Sequence, residues 1–304
     1  MGSMMRGLLY ILALFAVLFP CSCGRLGGLS CSGRPCKEQG LMDQAMGLVK
    51  ERKYKEAHEL YKKVLDVCPG WSEALFRAGV VEYILGDYEQ AVKHLSAAAK
   101  KDPSNADIWS RLGEACMQAK RYKEAARAYE RAFRAVPRSE FREKQGRAEL
   151  LAGDAKKARK VFESVVLEDP TSYGSLFFLG NIWRDEGHAE KASRYYEAAI
   201  KIRPVLVEAY INLASIRYSQ GRYQDAVDLL ERAMKEVPMD APSDPSVRYN
   251  LGLSYLKLGN NEKAREHFGA FIVLSPEGKN AKEVKGILER LSGAEGKDGG
   301  NENR

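Results

Sequence analysis

Four histidines, His58, His94, His188 and His267, are the side chains best suited to moving protons or ligating a metal. Either task needs two or three such groups to converge on one point. These four are scattered along the chain, far apart in sequence. The six cysteines, at positions 21, 23, 31, 36, 68 and 116, form no C-x-x-C pair. Nucleophile-elbow, phosphate-loop and H-E-x-x-H signatures do not occur. The expectation is a protein that is not an enzyme, with no metal site and no cofactor.

The charges point the same way. Lys and Arg total 48 against 41 Asp and Glu, a net charge of +7, in a chain that is 45% hydrophobic and 29% charged. The composition is that of a folding chain, and the charges are interleaved along it. Interleaved charge reads as a solvated helical surface, whereas nucleic-acid binding calls for a concentrated basic patch. No nucleic-acid partner is expected.

The elements that carry these side chains are set by a repeat. An alanine after an aromatic-plus-acid step recurs as Ala57, Ala91, Ala125, Ala158, Ala192, Ala226 and Ala264, with gaps of 34, 34, 33, 34, 34 and 38. A closing proline keeps the same gaps at Pro69, Pro103, Pro137, Pro170, Pro204, Pro238 and Pro276. Two landmarks in step through seven copies mark a repeat architecture. Within a copy the apolar spacing is helical: Leu213, Ala214 and Tyr218 on one segment, Ala226, Leu230 and Ala233 on the next. Gly86, Gly153, Gly187, Gly221 and Gly259 fall between the two segments, where a helix stop is needed. Each proline ends the second helix. The unit is therefore an antiparallel helix pair.

Small residues recur where those helices must approach. Ala45, Gly79, Gly113, Gly146, Gly180, Ala214 and Gly252 stand twelve positions before the landmark alanines. Tyr61, Leu95, Tyr129, Phe162, Tyr196, Leu230 and Phe268 stand four after. Small against large predicts an interdigitated seam. A lone pair cannot bury its apolar face, so stacked neighbours must supply the stability.

The pattern resembles the tetratricopeptide repeat family, best in the third unit with Trp109, Leu112, Gly113, Ala125, Tyr129, Ala132 and Pro137. The resemblance implies an all-α, right-handed α-solenoid of about seven helix pairs plus a C-terminal capping helix. The pairs fall at 38–71, 72–105, 106–138, 139–172, 173–206, 207–240 and 245–278. The first lacks the Leu-Gly step, the fourth is a residue short, and an insert, "MDAPSDPS", precedes the seventh. A capping helix is expected over 279–292 and a disordered tail over 293–304. His58, His94 and His267 then fall on second helices facing outward or sideways, and His188 in a turn, all as ordinary surface residues. Cys116 falls at an inward position. Cys36 and Cys68 fall at adjoining ends of the first helix pair, where a disulfide would close them together; Cys31–Cys36 is the local alternative.

The resemblance also implies that the first helices line a concave groove for a protein or peptide partner. Three features occupy its positions. A basic ladder, Arg77, Arg111 and Lys144, extends to Arg147 and Arg184 and would clamp carboxylates, unless Glu73, Asp107, Glu114 and Glu143 compensate it. Asn181, Asn212 and Asn250 offer amides. The "AYINLAS" around Asn212 is similar to the asparagine-bearing repeats of the O-linked N-acetylglucosamine transferase superhelix, where asparagines bind an extended peptide backbone. Met42, Phe76, Phe177, Phe178, Ile211 and Tyr249 supply apolar anchors, unless some of them, Phe178 foremost, pack between repeats.

The start of the chain reads as targeting. Arg6 precedes the 13 uncharged residues Gly7 to Phe19, fewer than the roughly 20 that span a bilayer. This is a signal-peptide core over 1–23, with an uncleaved signal anchor as its rival, followed by a linker over 24–37. A cysteine after such a core resembles a bacterial lipoprotein signal, with Cys21 or Cys23 as the lipidated residue; Pro20 departs from that pattern, and plain cleavage near Gly24 is the rival. The expectation is an exported scaffold of the bacterial cell envelope. It would be membrane-anchored and facing the periplasm, or otherwise periplasmic or secreted, similar to tetratricopeptide lipoproteins that assist pilus, secretion or envelope assembly. An exopolysaccharide-export role, holding an acidic polysaccharide on the basic ladder, is the alternative. The oligomeric state is not legible.

Overall fold

The computed structural model describes residues 38–236 and 244–298, without the side chains of 293–298. The targeting segment, the linker, Pro238, most of the insert, and the candidate cysteines Cys21, Cys23 and Cys36 lie outside the described residues. Among the described residues there are fifteen helices and no strand. The chain divides into two compact units, one ending at Pro103 and one starting at Ser104.

The first unit holds α1 (Gln39–Lys50), α2 (Tyr54–Val67), α3 (Ser72–Leu85) and α4 (Tyr88–Lys101). The second holds α5 (Ala106–Gln118), α6 (Tyr122–Ala135), α7 (Ser139–Leu151), α8 (Ala155–Glu168), α9 (Tyr173–Asp185) and α10 (Ala189–Ile202). It continues with α11 (Val207–Ser219), α12 (Tyr223–Glu236), α13 (Pro245–Lys257), α14 (Asn261–Leu274) and α15 (Ala281–Asp298). Within each unit, consecutive helices pack as successive hairpins.

Local chemistry starts and stops these helices. Asp87, Asp154 and Asn260 cap α4, α8 and α14 by accepting from the backbone N–H three residues on. Asp244 caps α13 by accepting from the Ser246 N–H two residues on, and the first residue of that helix, Pro245, already has the φ a helix needs. Between the helices of a pair the chain enters the left-handed region. The five predicted glycine stops all lie there, from Gly259 at φ 75° to Gly86 at φ 85°. Arg52 and Lys120 hold the same repeat position at φ 61° and 59°. A side chain in that region costs about 1–2 kcal/mol, which glycine avoids at some cost in backbone entropy. Lys120 is exposed, so Lys120→Gly is expected to stabilise the second unit by about 0.5–1 kcal/mol. A urea midpoint that falls instead would mean that the lysine stem contributes packing that outweighs its strained backbone.

The seam is built as the spacing predicts. A Cβ placed on Gly113, Gly146, Gly180 or Gly252 would lie 2.6 Å from the ring of Tyr129, Phe162, Tyr196 or Phe268 respectively, and one on Gly79 would lie 2.7 Å from Leu95. The C-terminal end of the second unit is closed too. Ala281, Val284 and Ile287 of α15 join the buried cluster of Leu251, Phe268 and Phe271. This helix runs six residues past the expected cap, into the stretch expected to be a disordered tail. The correction has a simple cause. Extending a helix that is already nucleated gains one hydrogen bond for each residue fixed, so a polar sequence suffices.

Candidate functional site

The first helices of the second unit bring two of the three asparagines together. Tyr196 donates its hydroxyl proton to Asn181 Oδ1 at 2.7 Å, and Asn212 Nδ2 donates to the same oxygen at 3.0 Å. Asn181 on α9, Tyr196 on α10 and Asn212 on α11 thus form one polar knot. Its logic leaves specific groups over. Asn181 Oδ1 is satisfied twice, so Asn181 keeps its NH₂ and Asn212 keeps its carbonyl oxygen. Both amides are half-buried, and both belong to neighbouring first helices. Asn250 shares the repeat position of Asn212 but does not join: its Nδ2 donates to the Ser246 carbonyl of its own helix at 2.7 Å.

Tyr196 is fully buried, and this burial pushes its hydroxyl up to about 12. The group therefore remains a donor across the physiological range. Its folded value lies above the unfolded value of about 10, so its contribution is complete below pH ~10 and is lost as pH rises towards 12. The second unit is expected to lose about 2–3 kcal/mol across that window from this group. Burial raises Tyr210 in the same unit too, adding in the same direction. Tyr196→Phe should flatten part of the slope of urea midpoint against pH, and an unchanged slope would place the alkaline loss elsewhere.

The basic ladder is internally compensated. In the first unit, Arg77 Nε lies 2.5 Å from Glu73, one turn away. In the second, Arg111 pairs with Glu114 at 2.9 Å, and Lys144 pairs with Glu114 at 3.0 Å and Glu140 at 2.8 Å. Burial works against the charge on Lys144, but hydrogen bonds to Glu140 and Glu114 outweigh it and hold the lysine above its ordinary value. The bond from Lys144 holds Glu140 below the usual carboxylate range. Of the other expected partners, Glu143 accepts from Ser172 at 2.5 Å and from Ser175 at 3.4 Å, while Asp107 forms no ion pair among the described residues. Arg184 pairs with its neighbour Asp185, and Arg147 lies 5.9 Å from the ring centroid of Phe178.

The apolar candidates divide. Met42 is a core residue, 1% exposed, so it offers nothing to a partner. Phe178 stacks on Phe162 at 5.1 Å and packs between repeats. Phe177 packs on Tyr196 and on Phe178 and is half-buried, as is Phe76 in the first unit. Ile211 and Tyr249 pack on the terminal core; Tyr249 touches Phe271 at 5.5 Å and its hydroxyl donates to Glu283 of α15 at 3.4 Å. Cys116 is buried. Cys68 is disulfide-bonded, but Cys36, like both lipidation candidates, is outside the described residues.

Three histidines depart from the expected surface role. Glu82 on α3 is 2% exposed and is met by His58 Nε2 at 3.0 Å from α2 and by His94 Nδ1 at 2.8 Å from α4. A carboxylate only accepts, so each ring must turn an N–H towards it. His267 is 7% exposed and lies parallel to Tyr255 at 5.4 Å. His188 is exposed, edge-on to Trp183. The one signal for the first cluster was an acid inside the otherwise apolar run "GVVEYIL". Among the described residues no group of three His, Cys, Asp or Glu side chains is disposed to hold a metal ion, and no helix is long and apolar enough to cross a membrane.

A ladder of helix hairpins with a small-to-large seam is the tetratricopeptide architecture, and the sequence matches it directly. Tetratricopeptide repeat families match residues 42–92, 76–140, 121–175 and 249–296, with further matches over 173–205 and 206–270. The chain belongs to the tetratricopeptide repeat family. It is 28% identical over 210 residues to Anaphase-promoting complex subunit 7 of Arabidopsis thaliana, covering 67% of this chain and 36% of that protein. It is 25% identical over 269 residues to the Protein CTR9 homolog of the same plant, covering 84% of this chain and 24% of that one. The chain therefore spans little more than a third, or less, of those relatives. Its fold is shared with the C-terminal part of a tetratricopeptide repeat protein from Cytophaga hutchinsonii (TM-score 0.61, 18% identity, 80% of this chain and 98% of that part). It is also shared with PilW, a type IV pilus biogenesis factor (TM-score 0.57, 20% identity, 70% and 97%). Such a fold is a scaffold suited to protein–protein interaction.

Proposed function

We infer that this protein is a non-enzymatic scaffold of the cell envelope that binds an extended segment of a partner protein along the first helices of its second unit. The observation that carries the reading is the Asn181–Asn212 pair. It presents one amide donor and one carbonyl acceptor side by side, the complement of an extended peptide backbone. Phe177 and Ile211, half-buried beside these asparagines on the same helices, supply apolar contact. Placement in the envelope is supported by the apolar core at Gly7 to Phe19 with Cys21 and Cys23 after it, and by the common fold with PilW. The acidic-polysaccharide alternative relied on open cations in the ladder. Glu73, Glu114 and Glu140 occupy those cations, which favours the peptide.

The test is capture from an envelope extract by the tagged chain, with the partner identified and its affinity then measured using purified components. Asn181→Ala with Asn212→Ala is expected to weaken binding at least ~10-fold, about 1.4 kcal/mol, without loss of helicity. Equal affinity of the double variant would refute this site. Mass spectrometry of the mature N-terminus tests the anchor, with an acylated Cys21 or Cys23 as the expected result.

A further inference from the structure

A second cluster of charged side chains lies between α12, α13 and α14, outside the asparagine site. It lines a cleft of about 350 Å³. At its wall is Arg248, half-buried, which donates from Nη1 to His267 Nδ1 at 3.2 Å. Its Nε–H is buried and has no acceptor. A guanidinium is always charged and only donates, so a buried N–H left unanswered is uncommon in a folded protein. Among the described residues no carboxylate pairs with it. Of the two acids in the cleft, Glu231 accepts from the Tyr255 hydroxyl at 2.5 Å, and Glu266 is exposed and bonded to nothing among the described residues. Lys235 and Lys263 add two more cations, the latter 3.3 Å from the same hydroxyl.

The geometry points to an oxyanion-binding site in this cleft, with Arg248 as its main ligand and Lys263 and Lys235 as supporting charges. Three permanent cations against two acids leave the cleft positive, and a guanidinium fork suits a carboxylate or a phosphate group. The site carries its own reporter. Arg248 can only donate to Nδ1, so His267 is the neutral tautomer with its proton on Nε2. Burial lowers the His267 value; Glu266 and Glu231 act against this, and Arg248 and Lys263 with it. An oxyanion seated on Arg248 offsets those cations and lets His267 take up a proton more easily.

The test is an NMR pH titration of the His267 ring in the full chain, assigned with His267→Gln. It is run alone, with inorganic phosphate and with acetate. The expected result is a saturable shift and a His267 value that rises on binding, with the anion binding at least ~10-fold more tightly than in Arg248→Met. Should Arg248→Met fail to fold, Arg248→Lys keeps the charge without the fork and is expected to weaken phosphate ~10-fold. A response to phosphate alone assigns a phosphate group, and a response to both anions assigns a carboxylate as an equal occupant. A His267 titration unmoved by either anion, or moved equally in the Arg248 variants, overturns the site. The asparagine double variant should leave this titration unchanged, so the two sites stand or fall separately.

Discussion

Gly146→Val is expected to destabilise the second unit by about 3 kcal/mol, read as a lower urea midpoint and melting temperature by circular dichroism. A single added Cβ would already lie 2.6–2.9 Å from three atoms of the Phe162 ring. Real Cβ atoms do not come so close, so the ring or the backbone must move. Phe162 is fully buried and stacked on Phe178, so it has no open direction. The push passes to α9, which carries Phe178 and the site residue Asn181. Gly146→Ala should cost less than valine but in the same direction. Paired with Phe162→Leu, which removes the opposing ring edge, the alanine variant should recover part of the loss through a favourable coupling. Strict additivity of the two changes would show that glycine and ring do not oppose one another across the seam.

The second large effect lies in the first unit. His58→Leu with His94→Leu is expected to cost about 3–5 kcal/mol, because Glu82 would remain as a buried carboxylate without donors. Glu82→Leu alone should cost less. The two imidazoles left behind are 23% and 29% exposed and can bond to water. Adding Glu82→Leu to the double histidine variant should therefore restore most of the stability, since an apolar cluster of similar volume replaces the whole network. Full-chain urea unfolding of the three variants checks the order. If the triple variant is the least stable of them, the network contributes net stability and the desolvation argument fails.

Features governed by short-range sequence were legible. Ala57 to Ala264 and Pro69 to Pro276 report a period, and the helical apolar spacing inside each copy, with its glycine and proline stops, makes the unit a hairpin. The helix stops also follow from local backbone sterics, with Arg52 and Lys120 as the two copies where glycine is missing. The seam followed as well, since Gly146 and Phe162 are chosen by volume and volume is written in the residue type. Polar partners were less legible. Asn212 and Asn250 share a repeat position, yet one reaches across to Asn181 and the other bonds to its own helix.

From its residues alone, then, this chain determined its family, its helix pairs and the small-to-large contacts that stack them. The tertiary structure decided which ions answer each other: Glu114 between Arg111 and Lys144, Glu82 beneath two histidines, and Arg248 paired with no acid among the described residues. The reason is one of range. Apolar burial depends on which face a residue occupies, a property of spacing that tolerates errors of an ångström or more. A hydrogen bond or ion pair is made or lost within a few tenths of an ångström, and only the packed rotation of neighbouring helices sets that distance.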